Sequence, residues 1–264
     1  GLRYLAKAQD PETGRFGPHE SEQMHFMYNH GMATLAMAEA AGMSDDPHLR
    51  VIAQKGIDFI VKAQTSAGGW NYRANPAGDD DTSVSAWQVQ ALAAGREAGL
   101  KVPDEALKKA LSMYRSATEP AGFVRYIAGR QDKEDLNRSS LCGVALMTRQ
   151  LLGEDPKTAV MGKLSARLLS SPPLAKVEWG KDWRPGKPNN DDNSRAEYDP
   201  YKMYFATYGM FFRGGKDWEA WREIMKKSVI SMQSLDGCWW TNDVYSQSGG
   251  IMYSTALSIL TLQV

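Results

Sequence analysis

Residues 55–70 read Lys55-Gly56-Ile57-Asp58-Phe59-Ile60-Val61-Lys62-Ala63-Gln64-Thr65-Ser66-Ala67-Gly68-Gly69-Trp70. The stretch closes a helical pattern in which Ile52, Gly56, Phe59, Ile60 and Ala63 recur at spacings of three and four. A Gln follows, then a Gly-x-aromatic turn. The same order opens the chain as Gly1-Leu2-Arg3-Tyr4-Leu5, Gln9 and Gly14-Arg15-Phe16. It returns late as Lys227-Ser228-Val229-Ile230, Gln233 and Gly237-Cys238-Trp239. Repeats are read first, because they decide the architecture.

Gln9 and Gln64 lie 55 positions apart, and Gln64 and Gln233 lie 169 apart, about three such periods. Two weaker copies fill the interval. Leu107 to Leu111 with Tyr114 leads to Gly122-Phe123, and Met161 to Leu164 with Leu168 leads to Trp179 and Trp183. The chain therefore divides into five helix-hairpin units, about 1–43, 50–100, 104–153, 157–215 and 217–264, within one domain over 1–264. Each unit offers an amphipathic first helix before the Gln and an apolar second helix after the turn. The second helices are expected over roughly 23–42, 81–98, 135–152, 198–213 and 249–263. A helix apolar around most of its circumference is buried, so these belong inside and the amphipathic ones outside. No long period-2 alternation marks a strand. Stacked helix hairpins make either an open solenoid or a closed ring. In each turn the Gly permits the backbone reversal. The Gln amide is expected to bond helix-end groups of the next unit, with the aromatic ring stacked over the junction.

These motifs resemble the QW repeat of squalene–hopene and other terpene cyclases, and of the protein-prenyltransferase β subunits. The chain is also similar to bacterial proteins described only as prenyltransferase/squalene-oxidase repeat proteins, through Gly68-Gly69-Trp70, Asp81-Thr82-Ser83-Val84 with Trp87-Gln88, and Gly249-Gly250-Ile251-Met252-Tyr253. The resemblance implies an all-α α/α toroid around a central cavity, and an isoprenoid or other apolar small molecule as ligand.

The same resemblance singles out Gly78-Asp79-Asp80-Asp81-Thr82. In the cyclases an acidic motif here protonates an alkene, which needs burial and like-charge neighbours to keep a carboxyl protonated. That role would fall to Asp80 with Asp81, although Gly78 stands where the family has its first Asp. On the residues alone, Asp81 or Thr82 before Val84 reads as a helix N-cap. The zinc site of the protein prenyltransferases is not carried over. Their Tyr-His-Thr-Cys run becomes Tyr253-Ser254-Thr255-Ala256, so no metal and no cofactor is expected. A thioester domain, which shares the toroid, needs a Cys that Glu20-Ser21-Glu22-Gln23 lacks.

Repeat arithmetic places similar positions at one rim of the inner helices: His30, Asp79 to Thr82, Arg138 with Ser139, Tyr201 with Tyr204, and Tyr253 with Ser254. These are the expected ligand-binding residues around a cavity mouth, with a His30–Asp pair able to move protons near neutral pH. The long loop 171–197, rich in Pro, Trp and Asn, and the shorter 71–80 are candidate lids. Of the aromatics in the last third, Tyr204 and Tyr208 are the cavity candidates for cation–π contacts. Glu178 and Glu197 keep a carbohydrate-active α/α barrel open as an alternative. A non-catalytic protein-interaction or ligand-binding module is the other.

Bulk properties narrow the classes. The chain has 264 residues, with 31 basic and 31 acidic side chains, so no nucleic-acid footprint is visible. Cys142 and Cys238 do not make a disulfide framework, and Cys142 reads as a packed thiol. No apolar run is long enough for a membrane span. The first residues already lie in a helix pattern, as in a trimmed segment. Thirteen Met residues suit an adaptable apolar lining.

Overall fold

A computed structural model describes residues 1–17, 25–130, 139–172, 199–241 and 243–264. Its helices are α1 (Leu2–Ala8), α2 (Phe26–Gly42), α3 (Pro47–Ala63), α4 (Thr82–Glu97), α5 (Asp104–Ala117), α6 (Ser139–Leu151), α7 (Ala159–Ser170), α8 (Pro200–Arg213), α9 (Gly215–Ser231) and α10 (Val244–Leu262). Among the described residues the only β-type pairings are isolated bridges. The expected second helices are α2, α4, α6, α8 and α10, each within a few residues of its predicted span.

Local chemistry starts these helices where they start. Asp46 accepts from the His48 amide ahead of Pro47, and Asp199 accepts from the Lys202 amide ahead of Pro200. Pro at the first helical position costs nothing, because its missing N–H would have no intrahelical partner. Asp81 caps α4 through the Ser83 and Val84 amides, and Asp243 caps α10 through those of Tyr245 and Ser246. α10 bends at Gly250, whose φ of 65° and ψ of −168° interrupt the helix.

The even-numbered helices pack in sequence: α2 on α4, α4 on α6, α6 on α8, and α8 on α10. The odd-numbered helices α3, α5 and α9 each contact the even-numbered helices on either side of them, and α7 contacts α6 and α9. α4 is buried without interruption from Thr82 to Ala93. α3, by contrast, buries one face through Ile52, Ala53, Gly56, Ile57, Ile60 and Ala63. Small residues set the closest inner approaches. A Cβ on Gly143 would lie 2.7 Å from the Ala206 amide nitrogen, and one on Gly209 would lie 3.0 Å from that of Met147. The contact between α6 and α8 is accordingly the most extensive between any two helices.

The repeated turn has one construction. Asp10, Thr65, Glu119 and Ser234 donate their amides to the carbonyls of Arg15, Gly69, Phe123 and Cys238, closing four equivalent loops. The Gln9 amide donates to Gly14 O at 3.0 Å and to Ile52 O at 2.9 Å. Gln64 does the same to Gly68 O at 2.8 Å and to Ala106 O at 2.9 Å. Each Gln thus ties its own turn to a carbonyl inside the first turns of the next outer helix. Unit three has Thr118 in place of the Gln, yet its turn still closes.

The turn's Gly rests on that same helix. Gly14, Gly68 and Gly122 have φ of 76°, 106° and 82°. A Cβ there would meet the backbone of Lys55 at 2.4 Å, of Lys109 at 2.2 Å and of Lys163 at 2.9 Å, respectively. These glycines and these lysines each recur every 54 residues. The aromatic's indole completes the joint: Trp70 Nε1 donates to Ile60 O at 2.8 Å, and Trp239 Nε1 to Val229 O at 2.7 Å. The rings are buried against the helix that precedes the turn.

Gly237 has a φ of 83° but nothing within 4 Å of its Cβ position. Gly68→Ala and Gly237→Ala therefore share the backbone cost, about 1 kcal/mol, and differ in the clash. Urea unfolding should show Gly68→Ala losing more than about 3 kcal/mol and Gly237→Ala about 1 kcal/mol. Equal losses would contradict this account of the joint.

Candidate functional site

All five inner helices contribute to one cavity of about 530 Å³. Its apolar lining includes Met32 and Leu35 of α2, Met147 and Leu151 of α6, Phe212 of α8, and Leu257 and Leu260 of α10. Trp87 of α4 stacks on Tyr204 of α8 with centroids 5.5 Å apart and planes 9° off parallel. The Tyr204 hydroxyl donates to Gln90 Oε1 at 2.6 Å, which fixes both side chains. Tyr208 lies against Tyr204 at 5.0 Å. Glu39 and Glu97 stand near the C-terminal ends of α2 and α4, and both line the cavity. Burial raises the Glu39 carboxyl above its usual range, and burial, with a smaller part from the Glu39 charge, raises the phenols of Tyr204 and Tyr208.

A second, polar cluster occupies the N-terminal ends of the inner helices. Tyr28 shares a hydrogen with Ser83 Oγ at 2.6 Å, and Ser83 Oγ donates to Asp81 Oδ1 at 2.6 Å. The hydroxyls of Tyr72 and Tyr126 bond each other. His25 packs edge-on against Tyr72 at 4.9 Å, and Tyr201 lies 5.8 Å from Tyr245. The Tyr201 hydroxyl is buried with no hydrogen-bond partner among the described residues. Burial pushes its pKa well up, helped by Tyr28, Tyr114 and Asp81 nearby.

The expected site residues fall in four places. Tyr204 and Tyr253 line the cavity. Asp81, Thr82 and Tyr201 belong to the polar end, where Asp81 caps α4 and Thr82 Oγ1 donates to the carbonyls of Arg125 and Tyr126, each at 3.1 Å. Asp79 is exposed and pairs with Arg130 at 2.6 Å. Asp80 sits under the unit-two turn, accepting from Thr65 Oγ1 at 2.6 Å, and does not line the cavity. Burial raises its pKa, against the opposing hydrogen bonds from Thr65 and the Gly69 amide. The raised pKa of Asp80 is thus a property of the inter-repeat joint.

His30 is set apart by its bonds. Nδ1 accepts the Phe16 amide at 3.1 Å, and Nε2 meets Gly56 O at 3.1 Å. Its counterparts in other units are Ser85, which accepts the Trp70 amide at 2.8 Å, and Thr255, which accepts the Trp239 amide at 3.1 Å. His30 therefore holds a turn between α2 and α3. Burial lowers its pKa to about 4, which keeps it neutral and removes the basis for proton transfer near neutral pH. Ser254 likewise donates to Trp239 O and faces a turn. Arg138 lies outside the described residues, as do Glu178, Trp179, Trp183 and Glu197 and the loop beyond Pro172.

Sequence reasoning passed over Glu39, Gln90 and Phe212 in the cavity, and Tyr28, Tyr72, Tyr126 and Tyr245 at the polar end. Tyr72 and Tyr126 carried a signal, since they recur 54 residues apart just after the turn aromatic. Among the described residues no group of three or more His, Cys, Asp or Glu is arranged to hold a metal, and no helix is long and apolar enough to cross a membrane. Cys142 is buried and Cys238 half-buried, both as free thiols. No model of a known protein family matches the chain, and no curated protein matches it.

Asp199 offers a test of the polar end. Burial, and then the charge of Asp243, push its carboxyl up to about 6 from an ordinary 3.8. The folded state thus holds this proton more tightly than the unfolded chain. Its contribution favours folding at low pH and is lost as pH rises from about 4 through about 6. Asn keeps the cap acceptor. Wild type should therefore gain melting temperature relative to Asp199→Asn on acidification from about pH 7 to about pH 5. Parallel melting curves across that window would refute the assignment.

Proposed function

We propose that the chain is an α/α toroid that binds an isoprenoid or similar apolar small molecule between its inner helices. The observation that carries this reading is the single cavity to which α2, α4, α6, α8 and α10 all contribute. A solenoid would spread its inner helices along a concave face, whereas residues from the first and last inner helices meet here across one space. The size suits a small-molecule site, and such sites combine a mostly apolar wall with a few placed polar groups. Gln90, Tyr204, Tyr208 and the two glutamates supply those groups.

The reading stops at binding. Proton donation by Asp80 to a cavity-bound alkene is not supported, because Asp80 is engaged by Thr65 and Gly69 outside the lining. The carbohydrate alternative rested on Glu178 and Glu197, which lie outside the described residues. One observation favours the scaffold alternative. The turn at Gln233 to Trp239 repeats the form that seats an outer helix elsewhere, yet among the described residues the Gln233 side-chain amide bonds only Gly237 O. Ile230 and Leu235 stand exposed beside it.

The test is native mass spectrometry with lipid extraction of freshly purified protein, followed by titration with a panel of polyprenols. Heat of binding by isothermal titration is the readout. Ala36→Trp on α2 would fill part of the cavity. The expected result is a saturable change in wild type and at least about a tenfold weaker one in Ala36→Trp. Absence of any bound apolar molecule, or equal binding by the filled variant, would move the assignment to the scaffold reading.

A further inference from the structure

Among the described residues the cavity has one sign of charge. Its charged lining residues are Glu39 and Glu97, and no described Lys, Arg or His side chain joins them. Neither glutamate takes part in an ion pair with a described residue. Burial alone shifts Glu39, with no cation acting on it, and its charge reaches Tyr204 and Tyr208. Both carboxylates sit toward the C-terminal ends of α2 and α4, where the helix dipole adds negative potential.

Tyr204 and Tyr208, which lie within reach of the Glu39 charge, reinforce that sign. The faces of Trp87, Tyr204 and Tyr208 are regions of negative electrostatic potential. Gln90 Oε1 is already engaged by the Tyr204 hydroxyl. Deeper in, the walls are Met, Leu and Ala. The cavity is therefore apolar within and anionic at its mouth. A diphosphate placed there would meet two carboxylates and the negative end of the helices, with no basic side chain to neutralise it. A positively charged head would meet carboxylates it can pair with and rings it can lie against.

Resting on the apolar-cavity reading, we propose that the ligand is a cationic amphiphile. Its apolar body lies along Met32, Leu35, Met147, Leu257 and the Trp87–Tyr204 stack, and its amine or quaternary ammonium head is held by Glu39 and Glu97 beside Tyr208. The described lining disfavours prenyl diphosphates on the same grounds.

Three ligands with one hydrocarbon body separate the terms: farnesol, farnesylamine and farnesyl diphosphate. Their affinities for the intact protein are measured by isothermal titration at neutral pH and low salt. Farnesylamine should bind about tenfold more tightly than farnesol, and farnesyl diphosphate more weakly than either. Raising the salt should narrow the amine's advantage, since mouth charges are screened. The double substitution Glu39→Gln with Glu97→Gln should bring the amine-to-alcohol ratio toward one. Both side chains are solvent-reachable and unpaired, and circular dichroism checks that the variant folds. Equal affinity for amine and alcohol, or tightest binding of the diphosphate, would overturn the head-group assignment and leave the apolar cavity standing. Binding of none of the three would overturn both.

Discussion

The structure depends on the close seating of a glycine turn on the backbone of the next outer helix. Gly14, Gly68 and Gly122 occupy the left-handed region and press against Lys55, Lys109 and Lys163, where a β-carbon would overlap the backbone. Gln9 and Gln64 then spend their amide hydrogens on one carbonyl of the turn and one of the neighbouring helix. Steric fit and hydrogen bonding thus act at the same point. They fix how far each hairpin rotates from the last, and so where each inner helix points. The cavity follows from that rotation.

The joint also explains two side chains whose chemistry looked functional. His30 and Asp80 are polar, buried and displaced from their ordinary pKa values. Each is committed to a turn: His30 to the Phe16 amide, Asp80 to Thr65 and Gly69. Buried polar groups are mostly hydrogen-bonded, and these two side chains find bonds at the repeat junctions, although Asp80 Oδ2 has no partner among the described residues. A shifted pKa marks a site only when geometry agrees. Here geometry assigns these shifts to architecture and leaves Glu39, beside the cavity aromatics, as the displaced acid facing a ligand-sized space.

The helical architecture was legible in the sequence because its cause is local. Spacings of three and four, a Gln, and a Gly-x-aromatic turn at a period near 55 all lie within short windows. The division into outer and inner helices followed from which segments are apolar all round. The Gln role was anticipated in kind, although its acceptors are carbonyls within the next helix. The candidate site was less legible, because it depends on helix rotation. Tyr204 was found because repeat arithmetic set it near the rim of an apolar helix, where an aromatic can face a cavity. Glu39 was missed because a single glutamate near a helix end reads as solvated surface. His30 misled because repeat arithmetic gives a residue's height along the helix and not its facing. Ser85 and Thr255, its counterparts, carry no signal that sequence alone ranks.

The account's central claim is that the inner helices jointly enclose an apolar ligand. Isotope-edited NMR on methyl-labelled protein with bound farnesol tests it most directly. The account predicts nuclear Overhauser contacts from the ligand to Met32 of α2, Met147 of α6 and Leu257 of α10 in one complex. Contacts confined to exposed methyls such as Met252, with none to those three, would contradict it.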